Sequence, residues 1–334
     1  ALRTDHVLYG HEDDLAYGVL WRGEAGRSDV LETAGSYPAV YGWDVGWIEH
    51  DSTVNLDKVD FEEMRRHIRD GYERGGVITI SWHVDNPVTG GNSWDNVPTV
   101  GRILPGGSHH ELFVEWMERL GGFLGSLEDS QGRPIPVIFR PWHEHTGSWF
   151  WWSASLTEGD EYVRLWRYTV EFLRDRMGLH NLLYAYSPSN TGFERRWESY
   201  PGDEWVDILG IDEYFGYGTP EERAQARDGF AGRIQAVVRD AEERGKIPAI
   251  TETGLEAMTD TVWFTDFLLH AIKQTPEGPR MAYVLTWRNS NNATDRQNHF
   301  YAPYAGHPSA ADFAEFREDP LILFEDDLPE LYRP

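Results

Sequence analysis

Glu144 and Glu252 are the residues on which a reaction could be built. Glu144 lies in Pro136-Val-Ile-Phe-Arg-Pro-Trp-His-Glu-His-Thr-Gly147, and Glu252 in Pro248-Ala-Ile-Thr-Glu-Thr-Gly254. Each closes an apolar, β-branched run that begins at a proline and stops at a glycine-containing loop. That pattern predicts a buried strand with a carboxylate at its C-terminal end. One glutamate in such a place is commonly a surface or ion-paired residue. Two that converge in one cleft match glycoside hydrolysis, where one carboxyl group donates a proton and a second, ionised, attacks the anomeric carbon. A separation of ~5–5.5 Å goes with retention of configuration, and one above ~6.5 Å with inversion.

Local chemistry separates the pair. Glu144 stands among Pro141, Trp142, Trp149 and Phe150, apolar neighbours that disfavour its charged form. Glu252 has Thr251 and Thr253 beside it, and a phenol such as Tyr214 is suited to hydrogen-bond its carboxylate and favour ionisation.

The elements that must position these residues form a series. Strand-like runs occur at 7–9, 37–45, 77–85, 136–144, 182–189, 206–214, 248–256 and 281–289. Between the second and third, Val59, Met64, Ile68 and Tyr72 recur at helical spacing; between the fourth and fifth, Tyr162, Leu165, Trp166, Thr169, Val170 and Leu173 do the same. Eight strands alternating with helices predict an α/β fold, a single (β/α)8 TIM barrel over 1–334 with the site at the C-terminal ends of the strands. Glu144 then ends strand four and Glu252 strand seven. A doubly wound sheet would want a glycine-rich phosphate loop after its first strand, and Gly10-His-Glu-Asp-Asp14 supplies none.

Composition narrows the function classes. The 334 residues carry 56 acidic against 30 basic side chains, a net charge of -26 that would repel nucleic acid and anionic membranes. Zero cysteines exclude disulfides, thiolate zinc sites and thiol catalysis. No apolar run reaches membrane-spanning length, and Ala1-Leu-Arg-Thr-Asp-His6 does not read as a secretory signal. Of the 15 tryptophans and 16 tyrosines, Trp116 and Trp166 fall on helical apolar stripes, whereas Trp82, Trp94, Trp142, Trp149, Trp151, Trp152, Tyr214 and Trp287 cluster near the expected strand ends. Sugar rings stack their C–H faces on aromatic rings, so such a site suits a carbohydrate.

The segments Phe139-Arg-Pro-Trp-His-Glu144-His-Thr-Gly-Ser-Trp149-Phe-Trp-Trp152, Gly210-Ile-Asp-Glu-Tyr214, Ile250-Thr-Glu252-Thr-Gly254 and Leu285-Thr-Trp-Arg288-Asn289 resemble glycoside hydrolase family 26. Most of its members are retaining endo-β-1,4-mannanases of (β/α)8 fold. The resemblance implies Glu144 as general acid/base and Glu252 as nucleophile, with no cofactor. It also implies that His143 is the active-site histidine preceding the acid/base, Trp149 a stacking tryptophan, Tyr214 the tyrosine that contacts the nucleophile, and His83 a lining of the reactive sugar subsite. Trp287 and Arg288 resemble the pair that holds the next sugar on the non-reducing side. Gly91-Asn-Ser-Trp94-Asp95 matches more loosely, with Trp94 as a sugar contact.

Other readings compete at several positions. His143-Glu-His145 offers metal-ligand types, but residue 144 on a strand faces away from its neighbours and the helical His-Glu-x-x-His spacing is absent, so no metal is expected. Arg140 suits a buried carboxylate partner. Asp212, two positions before Tyr214, suits a sugar hydroxyl, or His143 or Arg140. The loops 86–108 and 290–309 are long enough to shape a rim around the site. Function is expected to be retaining hydrolysis of β-mannan or manno-oligosaccharides by a monomeric, secreted or cell-surface protein. The same machinery on mixed-linkage glucan or xylan, chain-end action, and a non-catalytic carbohydrate-binding barrel are the competing expectations.

Overall fold

Every one of the eight expected runs forms a strand in the computed structural model, which describes residues 6–332. The strands are β1 (Val7–Glu12), β2 (Val40–Asp44), β3 (Val77–Ser81), β4 (Val137–Arg140), β5 (Leu182–Tyr186), β6 (Asp212–Phe215), β7 (Ile250–Leu255) and β8 (Tyr283–Thr286). All are parallel where their pairing is resolved, and helices connect them, as in the (β/α)8 class. Ala1–Asp5, the opening residues read as lacking a secretory signal, lie outside the described residues. Among those described, no helix is long and apolar enough to cross a membrane.

The chain divides into two compact units. In the first, made of 1–42, 71–78 and 209–334, the sheet order is β2, β1, β8, β7, β6. Register is set by pairs such as Gly10↔Val40, His11↔Thr286 and Glu252↔Asp212. Its long helix, Pro220–Arg244, starts at a capping box of Thr219 and Glu222 with proline at the first turn, and ends at Gly245 with φ 67. These ends satisfy backbone groups that a helix terminus otherwise leaves orphaned. The helix buries Phe230, Ile234, Val237 and Val238, each side chain contributing about 1.5–3 kcal/mol by leaving water.

In the second unit, made of 43–70 and 79–208, β5, β4 and β3 follow one another, with Val137↔Leu182 and Phe139↔Tyr184 as partners. The helical spacing seen in sequence gives the helices Phe61–Glu73 and Glu161–Glu171. Met64 and Ile68 are buried on the first, Leu165, Trp166 and Val170 on the second. Trp116, on the helix His110–Gly125, is likewise core.

Several boundaries fall short of expectation: the run 77–85 is a strand only to Ser81, leaving His83 past the end of β3, and the run 281–289 only over Tyr283–Thr286. The boundary that displays Glu144 also differs. The run 136–144 is apolar and buried to its end, yet the strand stops at Arg140. Beyond it Trp142 and Glu144 both take the left-handed backbone region, at φ 51 and 55, which no strand accommodates. Glu144 is thus displayed from a turn past β4 rather than from β4 itself.

Candidate active site

Glu144 sits in that turn with 8% of its surface exposed. Its backbone N–H donates to the Ser187 carbonyl at 2.8 Å, and its carbonyl accepts from the Gly147 N–H at 2.9 Å. The Trp149 indole N–H donates to Glu144 Oε2 at 2.5 Å. Gly147 makes room for this arrangement, because a Cβ there would lie 2.5 Å from the Trp149 ring. Two consecutive-but-one non-glycine residues in the left-handed region are strained, and strain of this kind collects at functional sites.

Beside Glu144, His143 Nε2 faces His83 Nε2 at 3.1 Å. Complete burial, reinforced by the charges of Arg140 and His83, pushes His143 well below the ordinary histidine range and keeps it neutral. His83 Nδ1 in turn meets the Asp44 carboxylate at 2.7 Å. Burial works to raise the Asp44 carboxyl, but the His83 charge and hydrogen bond, with Ser81 and the Gly46 N–H, outweigh it and hold the group below the usual carboxylate range. Asp44, His83 and His143 thus form a continuous chain of polar contacts. Trp94, about half exposed, stacks on His83 with centroids 5.5 Å apart and 14° between planes. Phe150 packs edge-on to both His83 and His143.

Glu252 is presented differently. It lies within β7, paired in register with Asp212 of β6, and the Tyr214 hydroxyl donates to its Oε1. Asp212 is buried and accepts from Thr251 Oγ1 at 2.6 Å. Trp287 and Arg288 follow immediately after β8, where consecutive residues are released from strand alternation. Arg288 Nη1 donates to Ser290 Oγ at 2.9 Å, to Asp295 Oδ2 at 3.2 Å and to the Tyr17 hydroxyl at 3.3 Å. Tyr301 packs against Tyr214 at 5.4 Å.

The ten residues expected from sequence therefore fall into two groups. Glu144, His143, His83, Trp94 and Trp149 gather in the second unit, and Glu252, Tyr214, Asp212, Trp287 and Arg288 in the first. The long loops contribute to both: 86–108 brings Trp94 onto His83, and 290–309 brings Asp295 to Arg288 and Tyr301 to Tyr214. Phe150 was named in sequence only as an apolar neighbour of Glu144; Asp44, Tyr17 and Asp295 were not singled out. Asp44 carried the same mark as Glu252, a carboxylate at the end of an apolar run; the others become visible only through partners distant in the chain.

His143 and His145 turn to different partners, but not by strand alternation, because Glu144 is not on a strand. His145 Nε2 meets the Tyr186 hydroxyl at 2.7 Å, and desolvation lowers its pKa to about 3. Among the described residues, the group able to bring three metal-ligand atoms within 4.8 Å is elsewhere, at Glu49, His50 and Asp85. There His50 pairs with Asp85 at 2.9 Å, and the Glu49 carboxylate accepts from the Trp82 indole and the Asp85 N–H.

Comparison with known proteins identifies the family. The profile of glycosyl hydrolase family 26 matches residues 1–275. A mannan endo-1,4-beta-mannosidase of Bifidobacterium adolescentis is 36% identical over 318 residues, covering 88% of this chain and 31% of that protein, so the chain spans about a third of this relative's length. A Bacillus subtilis mannan endo-1,4-beta-mannosidase is 28% identical over 304 residues, covering 87% of this chain and 77% of that protein. The solved structure of a GH26 beta-mannanase from Bacteroides ovatus superposes with a TM-score of 0.92 at 43% identity, covering 99% of this chain and 93% of the other. With a family profile spanning most of its length and a solved family member superposing over 99% of it, the chain belongs to glycosyl hydrolase family 26.

Proposed function

We propose that the chain, 1–334, is one catalytic domain that hydrolyses internal β-1,4 linkages of mannan, galactomannan or glucomannan with retention of configuration. Glu252 attacks the anomeric carbon and expels the leaving sugar. Glu144 protonates the departing oxygen, then takes a proton from the water that releases the mannosyl unit from Glu252. The observation that carries this reading is that each buried glutamate has its own neutral donor, the Tyr214 phenol for Glu252 and the Trp149 indole for Glu144. A donor beside the nucleophile holds it in one orientation between turnovers.

His83 and His143 are assigned to the reactive sugar subsite, with Asp44 orienting them; Trp94 and Trp149 to stacking on sugar rings; Asp212 to the support of the nucleophile strand. Trp287 and Arg288 are assigned to the adjacent sugar on the non-reducing side. No cofactor enters the mechanism. The protein is proposed to act as a monomer outside the cell, where the polymer is found, and the relatives named above act on mannan by their descriptions.

A reducing-sugar assay on mannan, xylan and mixed-linkage glucan, with early product read by proton NMR, tests the proposal. Mannan is expected to give by far the highest rate, with β-anomeric product first. Preference for xylan or glucan would move the substrate class, early α product would overturn the double displacement, and no hydrolysis of any of the three would leave a binding protein.

A further inference from the structure

We propose that Trp47 is a distal sugar-binding platform, a subsite for a β-linked pyranose beyond those held next to the two glutamates; it rests on the glycosidase reading above. Three observations converge on it. First, Trp47 and Trp94 are the two tryptophans that stand out as exposed among the described residues, at 37% and 51%, in a chain where most others are buried. Second, Trp47 holds φ 75, the left-handed region, which is unfavourable for a bulky side chain, at the start of the short 3-10 turn Ile48–His50. Third, the turn that carries it is pinned on every side.

Those pins are specific. Gly46 N–H donates to Asp44 Oδ1 at 2.7 Å, and Leu56 N–H donates to the Gly46 carbonyl at 3.1 Å. No side chain fits at Gly46, since a Cβ would stand 2.3 Å from Leu56 Cδ2 and 2.8 Å from the His83 carbonyl. Two residues after Trp47, the buried Glu49 carboxylate accepts from the Trp82 indole at 3.0 Å and from the Asp85 N–H at 2.9 Å, and Arg119 donates to the Glu49 carbonyl. The turn is thus built directly onto Asp44 and its partner His83, the ring on which Trp94 stacks. Backbone strain that surrounding contacts enforce, at an exposed aromatic three residues along the chain from Asp44, marks a binding element. An immobilised indole face offers a pyranose stacking area at little entropic cost. The class of ligand is the polysaccharide chain itself, at a unit beyond the sugar that meets His83.

The test pairs Trp47→Gly with wild type. Glycine removes the indole and relieves the strained φ at once, so a structural role and a binding role predict opposite outcomes. Affinity electrophoresis, run in a Glu144→Gln background in gels containing galactomannan, xylan or mixed-linkage glucan, should show the Trp47→Gly protein retarded about tenfold less by the glycan that retards the parent most strongly. In the otherwise wild-type background, kcat/KM on mannohexaose should fall more than on mannotriose, mainly through KM. Thermal unfolding should not move to lower temperature. Equal retardation of both proteins, no retardation of the parent by any glycan, an equal loss on hexaose and triose, or a lowered Tm would each overturn the subsite. Failure of the mannanase reading looks different: the wild-type protein then cleaves neither oligosaccharide, while the electrophoresis still reads Trp47 against xylan or glucan.

Discussion

The two glutamates occupy similar sequence motifs but are held in position in different ways. Glu252 is part of a ladder: its neighbours pair in register with Asp212, Glu213 and Tyr214, and the strand itself aims the carboxylate. Glu144 has left the ladder. It depends on a backbone bond to Ser187, a strained pair of left-handed residues, and the Trp149 indole. The difference fits the two roles proposed for them, nucleophile for Glu252 and acid/base for Glu144. A nucleophile returns to the same point in every cycle, and a paired strand fixes it; an acid that becomes a base must serve two oxygens in succession, and a turn supported by side chains gives it a mount outside the ladder's rigid spacing.

The largest expected effects separate the roles. Glu252→Ala should reduce hydrolysis of every substrate to background and give no burst with a dinitrophenyl mannoside, while added azide yields an α-mannosyl azide. Glu144→Ala should lose ~10²–10⁴-fold on polymer. It should still release dinitrophenol in a burst, with azide giving the β-azide. Rates and product anomers, measured together, check both, and the reverse pattern would exchange the labels.

Removing the donors alone should sharpen the contrast. Tyr214→Phe and Trp149→Phe each delete one hydrogen bond to a carboxylate, worth about 1.5–3 kcal/mol, or roughly 10–100-fold in rate. Tyr214→Phe should slow polymer and activated mannoside alike, because Glu252 attacks in both. Trp149→Phe should slow the polymer more, because an activated leaving group needs little acid help. Gly147→Ala should imitate Trp149→Phe by displacing the ring. Equal losses on both substrates for Trp149→Phe would detach it from proton transfer.

Arg288→Ala is expected to have a smaller effect and to fall more heavily on short oligosaccharides than on polymer, since a long chain engages other subsites that compensate. Michaelis constants for mannotriose and galactomannan check this. An equal loss on both would remove Arg288 from the substrate contacts.

The smallest expected effect is on stability. The Asp44 carboxyl lies below its ordinary value of 3.8, so its contribution is fully present above that pH and is lost as pH falls through the lower folded value. Asp44→Asn should therefore lower stability at neutral pH and flatten the loss below pH 3.8, read from urea unfolding across the acid range. An unchanged acid slope would mean that the Asp44–His83 pair contributes no net stability.

The sequence revealed the strands where burial and the ladder coincide. All eight runs were found because buried parallel strands are continuous apolar segments. The end of β4 was missed for the same reason: Trp142, His143 and Glu144 are buried by side chains after the ladder stops, so hydropathy does not change at Arg140. Within the site, Glu252 and Tyr214 carried a strand-end pattern. Asp44 carried that pattern too and was passed over because its partner, His83, comes from another segment of the chain, two residues past the end of β3. Tyr17 and Asp295 gave no signal, since their part in holding Arg288 exists only in the folded chain.

The central claim is that Glu252, not Glu144, becomes covalently attached to sugar. Inactivation with 2-deoxy-2-fluoro-β-mannosyl fluoride, followed by peptic digestion and mass spectrometry, addresses it directly. The predicted result is a fluoromannosyl mass on the peptide containing Thr251-Glu252-Thr253, fragmenting to Glu252. A label on the peptide containing Glu144, or an inactivated enzyme with no adduct, would contradict it.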